Sequence, residues 1–373
     1  MSALTALHLR DFRSYTALEL MLDTRPVVLF GANGAGKTNI LEAISFLAPG
    51  RGMRRVPLDA PVRQDCDSKA WGVHAVLQLD GTDETFDLGT GLDAHTRTRR
   101  VRIDGQNAKA GALADLLRLV WLTPAQDRLF AGPRGARLRF FDRLTLSLHP
   151  EHGRNATHYE RAMRDRQRLL DEGGADPGWL EACERQMATA GAAIMRARAD
   201  TIAHLQVEIN ARNDSAFPQA DLQLEALYDD APLCGDDNLA EALAQVFLSA
   251  RNRDGAAGRA LCGPHKANLQ VIWRAKAMPA ALSSTGEQKA LLIGLTLAHA
   301  RAVATTKDTP APLVLLDEAC AHLDAGRRAA LIDEVCAMKG QGWLTGTDQH
   351  LFDAFGDRAQ LFEISPGQAC KIE

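Results

Sequence analysis

The stretch VVLFGANGAGKTNILEAI, residues 27–44, runs from an apolar segment through a glycine-rich turn into an apolar repeat at helical spacing. Residues 27–30 are all apolar, as in a strand buried on both faces. Ile40, Leu41, Ile44 and Leu47 then recur on one helix face. Between them, Gly31-Ala32-Asn33-Gly34-Ala35-Gly36-Lys37-Thr38 fits G-x-x-x-x-G-K-[ST] at every fixed position. Glycines let the backbone turn tightly and aim N–H groups at phosphate oxygens. Lys37 offers a charge to terminal phosphates, Thr38 a hydroxyl to Mg2+, and the helix start, with Asn39 in its first turn, a positive end. The bland alternative is a strand, turn and helix that happen to be rich in glycine. The placement after an apolar strand and before a helix favours ATP with Mg2+.

Such a loop needs an acid at the end of another strand. Leu313-Val314-Leu315-Leu316-Asp317-Glu318 supplies two. Asp317 is placed to hold Mg2+ through water, and Glu318, one residue on, to polarise an attacking water. A strand that merely ends in acids at a helix start is the alternative. The stretch from Lys37 to Asp317 is far longer than a compact nucleotide-binding unit needs, so a lobe is inserted between them. Asp324 reads as a helix N-cap or as part of a Leu-Asp turn facing nucleotide. Thr345, Thr347 and Asp348 end the last short strand, 342–345, before a helical tail segment, on the edge that faces the γ-phosphate in P-loop folds, with His350 nearby.

The rest of the 373-residue chain fits around these motifs. Residues 4–22 read as two strands joined near Ser14, and 71–79, 84–89 and 99–103 as further strands, with Asp104-Gly105 a hairpin turn. From about Leu113 to residue 212 the pattern is helical, broken by the glycines and proline of residues 173–178. Residues 268–273 and 311–317 read as strands. The expected architecture is α/β, with 1–112 plus 305–373 as a discontinuous ATP-binding lobe and 113–304 as a mainly helical lobe. The 46% hydrophobic and 24% charged composition is that of an ordinary soluble chain. A net charge of −4 means that any nucleic-acid surface is local. The 7 cysteines, at 66, 183, 234, 262, 320, 336 and 370, share no CxxC spacing, which points to reduced thiols and no zinc. Early charges at Arg10, Asp11 and Arg13 argue against a secretory signal, and no apolar run reaches membrane-spanning length, so a cytoplasmic chain is expected.

A second phosphate-type helix start lies at Ser284-Thr285-Gly286-Glu287. Ser284-x-x-Glu287 is a plain capping box before an apolar stripe. It also presents exposed N–H groups and a hydroxyl at a positive helix end, able to cap the γ-phosphate of a nucleotide held by another subunit.

P-loop, S-x-G-E segment, LLLDE-type strand end (LVLLDE, residues 313–318) and Leu-Asp turn together resemble ABC-type ATPase heads. HLRDFRSY, residues 8–15, resembles the first strand of the DNA-repair branch of that group, which holds the SMC and Rad50 heads. Within the branch the chain is most similar to the RecF family, through residues 8–15, 29–44, 120–144, 262–269, 283–295 and 314–328. The helical stretch is too short, and too poor in heptads, for a long SMC coiled coil. The resemblance implies an ABC-type P-loop head with an inserted helical lobe that carries the signature segment. It further implies a weak ATPase switch, with the signature residues Ser284, Gly286 and Glu287 meeting a partner's ATP, an ATP-dependent homodimer that clamps gapped or duplex DNA, and recombinational repair with RecO and RecR helping RecA load. Gln126 is the counterpart of the Gln that senses Mg2+ in ABC heads. Thr285 stands where the signature usually has Gly, Gly263-Pro264-His265-Lys266-Ala267-Asn268 where relatives show a GPHRDD-like segment, and Pro124-Ala125-Gln126-Asp127 where many have the acid pair Pro-Glu-Asp. A transporter ATPase subunit or a nuclease-associated head shares most of the motifs and stays as the alternative.

Basic clusters at Arg51, Arg54 and Arg55, at Arg97, Arg99, Arg100 and Arg102, from Arg134 to Arg143, and at Arg161, Arg164 and Arg168 are either solvated surface or DNA contacts. With aromatics at 5%, contacts to the duplex backbone are expected over base stacking.

Overall fold

Apolar alternation in the first twenty residues forms a hairpin, β1 (Ala3–Phe12) and β2 (Tyr15–Met21), and the run at Val27 forms β3 (Val27–Phe30), which feeds α1 (Lys37–Ser45). The computed structural model describes all residues except 1, 80–83, 174–175, 213–214, 230, 233–234, 236, 308 and 373, so Cys234 and part of the 173–178 break lie outside the described residues. Next come β4 (Trp71–Gln78), β5 (Thr85–Leu92), β6 (Arg99–Ile103), β7 (Gln106–Ala108), the short α2 (Leu113–Leu116) and β8 (Leu119–Leu122). Asp104 and Gly105 have φ of 50° and 76°, the paired positive values of a tight β6–β7 hairpin. Helices α3 (Arg134–Leu148), α4 (His152–Glu172) and α5 (Pro177–Asn210) follow, then β9 (Ala220–Ala226), α6 (Leu239–Ala257), β10 (Ala267–Trp273) and β11 (Met278–Pro279). Asp176 caps α5 by accepting from Gly178 N at 2.8 Å, with Pro177 in the first turn. The chain ends through α7 (Thr285–Thr305), β12 (Leu313–Leu316), α8 (Ala325–Cys336), β13 (Gly342–Gly346), β14 (Gln360–Ser365) and β15 (Gln368–Ile372).

Contacts divide the chain into two compact units: Met1–Asp127, Arg212–Pro218 and Ser284–Glu373 form one, and Arg128–Ala211 with Gln219–Ser283 the other. In the first, an antiparallel sheet ordered β2-β1-β4-β5-β6-β7 and a sheet ordered β15-β14-β3-β13-β12-β8 share one core with α1. Strands β14, β3, β13, β12 and β8 are parallel, and all four residues of β3, β8 and β12 are buried, as expected of strands covered on both faces. In the second, α4, α5 and α6 bury Tyr159, Met187, Leu243 and Phe247. Arg166, fully buried there, donates to Glu184 at 3.0 Å and Asp254 at 2.6 Å, so its charge is matched rather than stranded.

Three expectations change. The helical lobe does not begin at 113 or run to 304. Residues 119–122, expected as helix, are β8, the edge strand of the parallel sheet, and α7 belongs with the first unit because nearly everything from Gln288 to Val303 is buried and packs on β8. Residues 284–287 therefore open the last segment of the first unit rather than lying in the helical lobe. The strand at 342–346 is not the last one, because β14 and β15 close the sheet beyond β3.

Candidate nucleotide site

The parallel register brings the carboxyl ends of β3, β12, β13 and β8 to one edge, where loops of open α/β sheets bind ligands. The P-loop leaves β3 there. Gly31 has φ 145°, and a Cβ on it would lie 2.3 Å from Ile364 O of β14. Gly36 has φ 114° and sits against the Tyr15 hydroxyl, where a Cβ would come to 2.6 Å. Both positions therefore admit only glycine, by backbone angle and by space. Gly36 is also the N-cap of α1 and supplies no side-chain cap, so the first N–H groups of the helix are not closed off by a side chain.

Lys37 is 4% exposed and its Nζ donates to Gly31 O at 2.7 Å and Ala32 O at 2.8 Å. Burial lowers its pKa, against the opposing pull of the Glu318 and Asp317 carboxylates. Asp317, directly after β12, accepts from Thr38 Oγ1 at 2.9 Å and from Thr345 Oγ1 at 2.8 Å. Burial raises the Asp317 pKa, while those two hydroxyls favour its charged form. Glu318 N donates to Thr345 Oγ1 at 2.9 Å, and Glu318 itself has φ 50°, a left-handed backbone unusual for a residue with a side chain. The predicted quartet Lys37, Thr38, Asp317 and Glu318 is thus gathered at one place. Thr345, a polar edge residue in the sequence, orients the Asp317 carboxylate and holds the backbone of Glu318.

The surrounding residues are placed as follows. Asn39 Nδ2 donates to Ser14 Oγ at 3.0 Å. Behind it Glu42, fully buried on α1, accepts from Arg13 at 2.9 and 2.7 Å and from Arg54 at 2.9 Å. Those arginines fix the P-loop helix, a role the basic cluster at 51–55 did not suggest. Gln126 closes a capping box, its Oε1 accepting from Thr123 N at 2.9 Å, four residues beyond β8 at the same edge. Asp324 caps α8, accepting from Arg327 N at 2.8 Å. Ser284, Thr285 and Gly286 are exposed at the start of α7, and Ser284 and Glu287 form the full capping box: Ser284 N donates to Glu287 Oε2 at 2.9 Å, and Glu287 N to Ser284 Oγ at 3.4 Å.

The DNA expectation needs correction at Arg99. Residues alternate along β6, so Arg100 and Arg102 face out while Arg99 turns inward. Its guanidinium donates to Thr90 Oγ1 at 2.9 Å, to Gly50 O at 2.6 Å, to Ala48 O at 3.0 Å and to Phe46 O, capping the carbonyl end of α1. Arg97 and Arg100 pair with Asp59 at 2.8 Å and Asp93 at 2.9 Å. In the second unit, Arg134 donates to His265 O and Ala267 O at 3.2 Å, and Arg137 Nη2 to Asn268 Oδ1 at 2.9 Å. His265 Nε2 donates to Ala260 O at 3.1 Å and its Nδ1 accepts from the Tyr159 hydroxyl at 2.9 Å, while burial pulls its pKa down to about 4. The altered Gly263–Asn268 segment is a structural hub for that unit.

Residues 3–357 match the RecF/RecN/SMC N-terminal domain family. Over 370 residues the chain is 49% identical to the DNA replication and repair protein RecF of Rhizobium etli (strain CIAT 652), covering 98% of each chain. The chain belongs to the RecF family. RecF of Agrobacterium fabrum is 47% identical over 369 residues, covering 98% of this chain and 97% of that one. Among solved structures, the recombination mediator protein RecF-ATP of the RecFOR pathway superposes with a TM-score of 0.85 at 19% identity, covering 100% of this chain and 98% of that one. The Smc head domain of Pyrococcus furiosus gives 0.55 at 12% identity, covering 100% and 96%. The fold is that of an ABC-type P-loop head, and the family assignment does not favour the transporter and nuclease-associated alternatives.

Proposed function

We propose that this RecF-family chain is an ATP-dependent DNA-repair switch with weak ATPase activity. The observation that carries it is the gathering of Lys37, Thr38, Asp317, Thr345 and Glu318 at one sheet edge, together with an exposed second helix start at Ser284. ATP seats its phosphates on the amides of residues 31–38, and Lys37 exchanges its loop carbonyls for phosphate oxygens. The donors suit Mg2+: Thr38 Oγ1 and Asp317 Oδ1 are hard oxygens 2.9 Å apart, and Thr38 directly and Asp317 through water would hold a metal that comes with the phosphates. Mg2+ at this place would neutralise phosphate charge. Asp317 would hold it, Thr345 would keep Asp317 oriented, and Glu318 would take the proton of the attacking water.

Residues 284–287 of a second copy close over the γ-phosphate, so two ATP molecules hold a homodimer that clamps DNA, and hydrolysis opens it. The relatives' repair name and the RecFOR pathway of the solved neighbour support DNA, RecO and RecR as partners. No described helix is long and apolar enough to cross a membrane. For DNA, the register suggests a surface. Arg10, Gly72, Gly91 and Arg100 lie side by side across β1, β4, β5 and β6, and the next row holds Gly89 beside Arg102. Gly72, Gly89 and Gly91, with His8 and His74 beside them, floor a groove of about 600 Å³ that has Arg10 on one wall and Arg100 and Arg102 on the other; Glu19 and Asp93 also line it, and Arg100 would exchange Asp93 for a backbone phosphate.

Sedimentation of Glu318→Gln with and without ATP tests the reading. A dimer with ATP and a monomer without it is expected, and gapped duplex should sediment with the dimer. A monomer in both conditions overturns the proposal.

A further inference from the structure

Lys289 is 5% exposed and lies five residues past Ser284 on α7. Its Nζ donates to the backbone carbonyl of Glu318 at 3.0 Å and stands 3.6 Å from Asp127 Oδ2, next to Gln126. Glu318 therefore has both backbone groups held: its N–H by Thr345 Oγ1 at 2.9 Å and its carbonyl by Lys289. Such a clamp suits a residue at φ 50°, where a side chain makes the backbone unfavourable and the surroundings must impose it. The other end of the clamp is the exposed helix start. Lys289 is four residues beyond Thr285 and three beyond Gly286, so it shares a helix face with them about 6 Å along the axis. From Gln288 onward α7 is a buried rod, while Ser284, Thr285 and Gly286 are open to solvent.

We infer that Lys289 is a positioning residue: it couples an anion seated on residues 284–286 to the backbone posture of Glu318 in the same copy. The inference rests on the proposed dimer, in which that anion is the γ-phosphate of the other copy's nucleotide. Each copy's α7 then reports the partner's nucleotide to its own water-activating carboxylate, so the two sites fire together.

Lys289→Met keeps the length and apolar burial of the stem without the donors, and Lys289→Arg keeps cation and donors. Three measurements separate the outcomes: binding of a fluorescent ATP analogue, hydrogen exchange of the amides of residues 318–322 with and without ATP, and turnover against ATP concentration. In the wild type, ATP should protect those amides and turnover should be cooperative. For Lys289→Met, nucleotide affinity should stay within about twofold and KM should hold. The ATP-dependent protection should vanish, the Hill coefficient fall toward one, and kcat drop about tenfold to a hundredfold, the scale of a small misplacement of a reacting group. Lys289→Arg should restore protection and cooperativity. Lys289→Met with wild-type protection and cooperativity overturns the inference. So does equal loss of nucleotide binding in both variants, which marks plain packing. A wild type that stays monomeric with ATP overturns the dimer reading and the coupling with it, and is told apart because no variant is involved.

Discussion

Two helices of the same unit begin with phosphate-type chemistry, and their first turns are finished in opposite ways. α1 starts after Gly36, whose φ of 114° and missing side chain leave its leading amides without a side-chain cap, and Lys37 folds back onto loop carbonyls. α7 starts at Ser284 with both halves of a capping box made. The first start is held open by structure on every side: β14 against Gly31, Tyr15 against Gly36, and Glu42 tied to Arg13 and Arg54 behind it. The second is closed by its own residues and stands exposed. An open, supported start suits a site complete within one chain. A closed, exposed start suits a half-site that must be opened from outside, which is what a partner's nucleotide would do.

The largest effect should follow from damage to the open start. Lys37→Met removes a charge-assisted contact of about 2–3 kcal/mol, roughly 30- to 150-fold in Kd. Titration with a fluorescent nucleotide should show that loss, and dimerisation should go with it. Near-normal affinity would mean that residues 31–38 are not the nucleotide site. Ser284→Arg is the complement. It should leave the affinity of the monomer, measured at a protein concentration too low for dimer, unchanged while a bulky cation blocks docking of the second copy, so sedimentation with ATP shows monomer. If Ser284→Arg still dimerises, the two starts do not serve different copies.

A smaller effect comes from the charge at Asp317. Its folded pKa is raised above 3.8, mainly by burial. As pH rises from 3.8 through the folded value, the native state keeps a proton that the unfolded chain has lost, so stability falls across that window and the ionised group opposes folding at neutral pH. Asp317→Asn should therefore raise the Tm of the nucleotide-free protein by about 1–2 °C while losing Mg2+-dependent tightening of ATP binding. Thermal melts at pH 7 with and without Mg-ATP check both halves. A fall in Tm would mean that the two threonine hydrogen bonds outweigh the burial.

Both helix starts were legible in sequence because each is a local pattern. G-x-x-x-x-G-K-T needs only a strand before it, and S-x-x-E only a helix after it. The acids after the LVLL strand were legible for the same reason. What stayed hidden depends on distance. LVWL at 119–122 is four residues in helix-rich surroundings, and only pairing with Leu313–Leu316 makes it a strand. α7 looks like part of the helical lobe until its burial against β8 is seen. Arg99 sits in a basic run, and only the two-residue alternation of β6 and the carbonyls at the end of α1 turn it inward. Lys289 and Thr345 act on Glu318 across 29 and 27 residues, with nothing local to mark them.

The smallest effects test whether the capping box is a true competitor for the partner's phosphate. Ser284→Ala should destabilise the nucleotide-free chain by about 0.5–1 kcal/mol, the lower part of the range for a lost N-cap. The lower part applies because the Ser284 Oγ bond is long, at 3.4 Å, and water reaches the exposed turn. Glu287→Ala should cost less still, since water replaces the carboxylate at Ser284 N. The two should diverge when ATP is added. If a partner's phosphate takes the Ser284 hydroxyl, as proposed, Ser284→Ala should weaken dimerisation. Glu287→Ala removes a carboxylate 2.9 Å from an amide that a docking phosphate would need, so dimerisation should tighten although the monomer is slightly less stable. Denaturant melts without ATP and sedimentation equilibrium with ATP give the two quantities separately. If Glu287→Ala weakens both, the carboxylate supports docking, and the contrast between an open and a self-closed helix start loses its functional meaning.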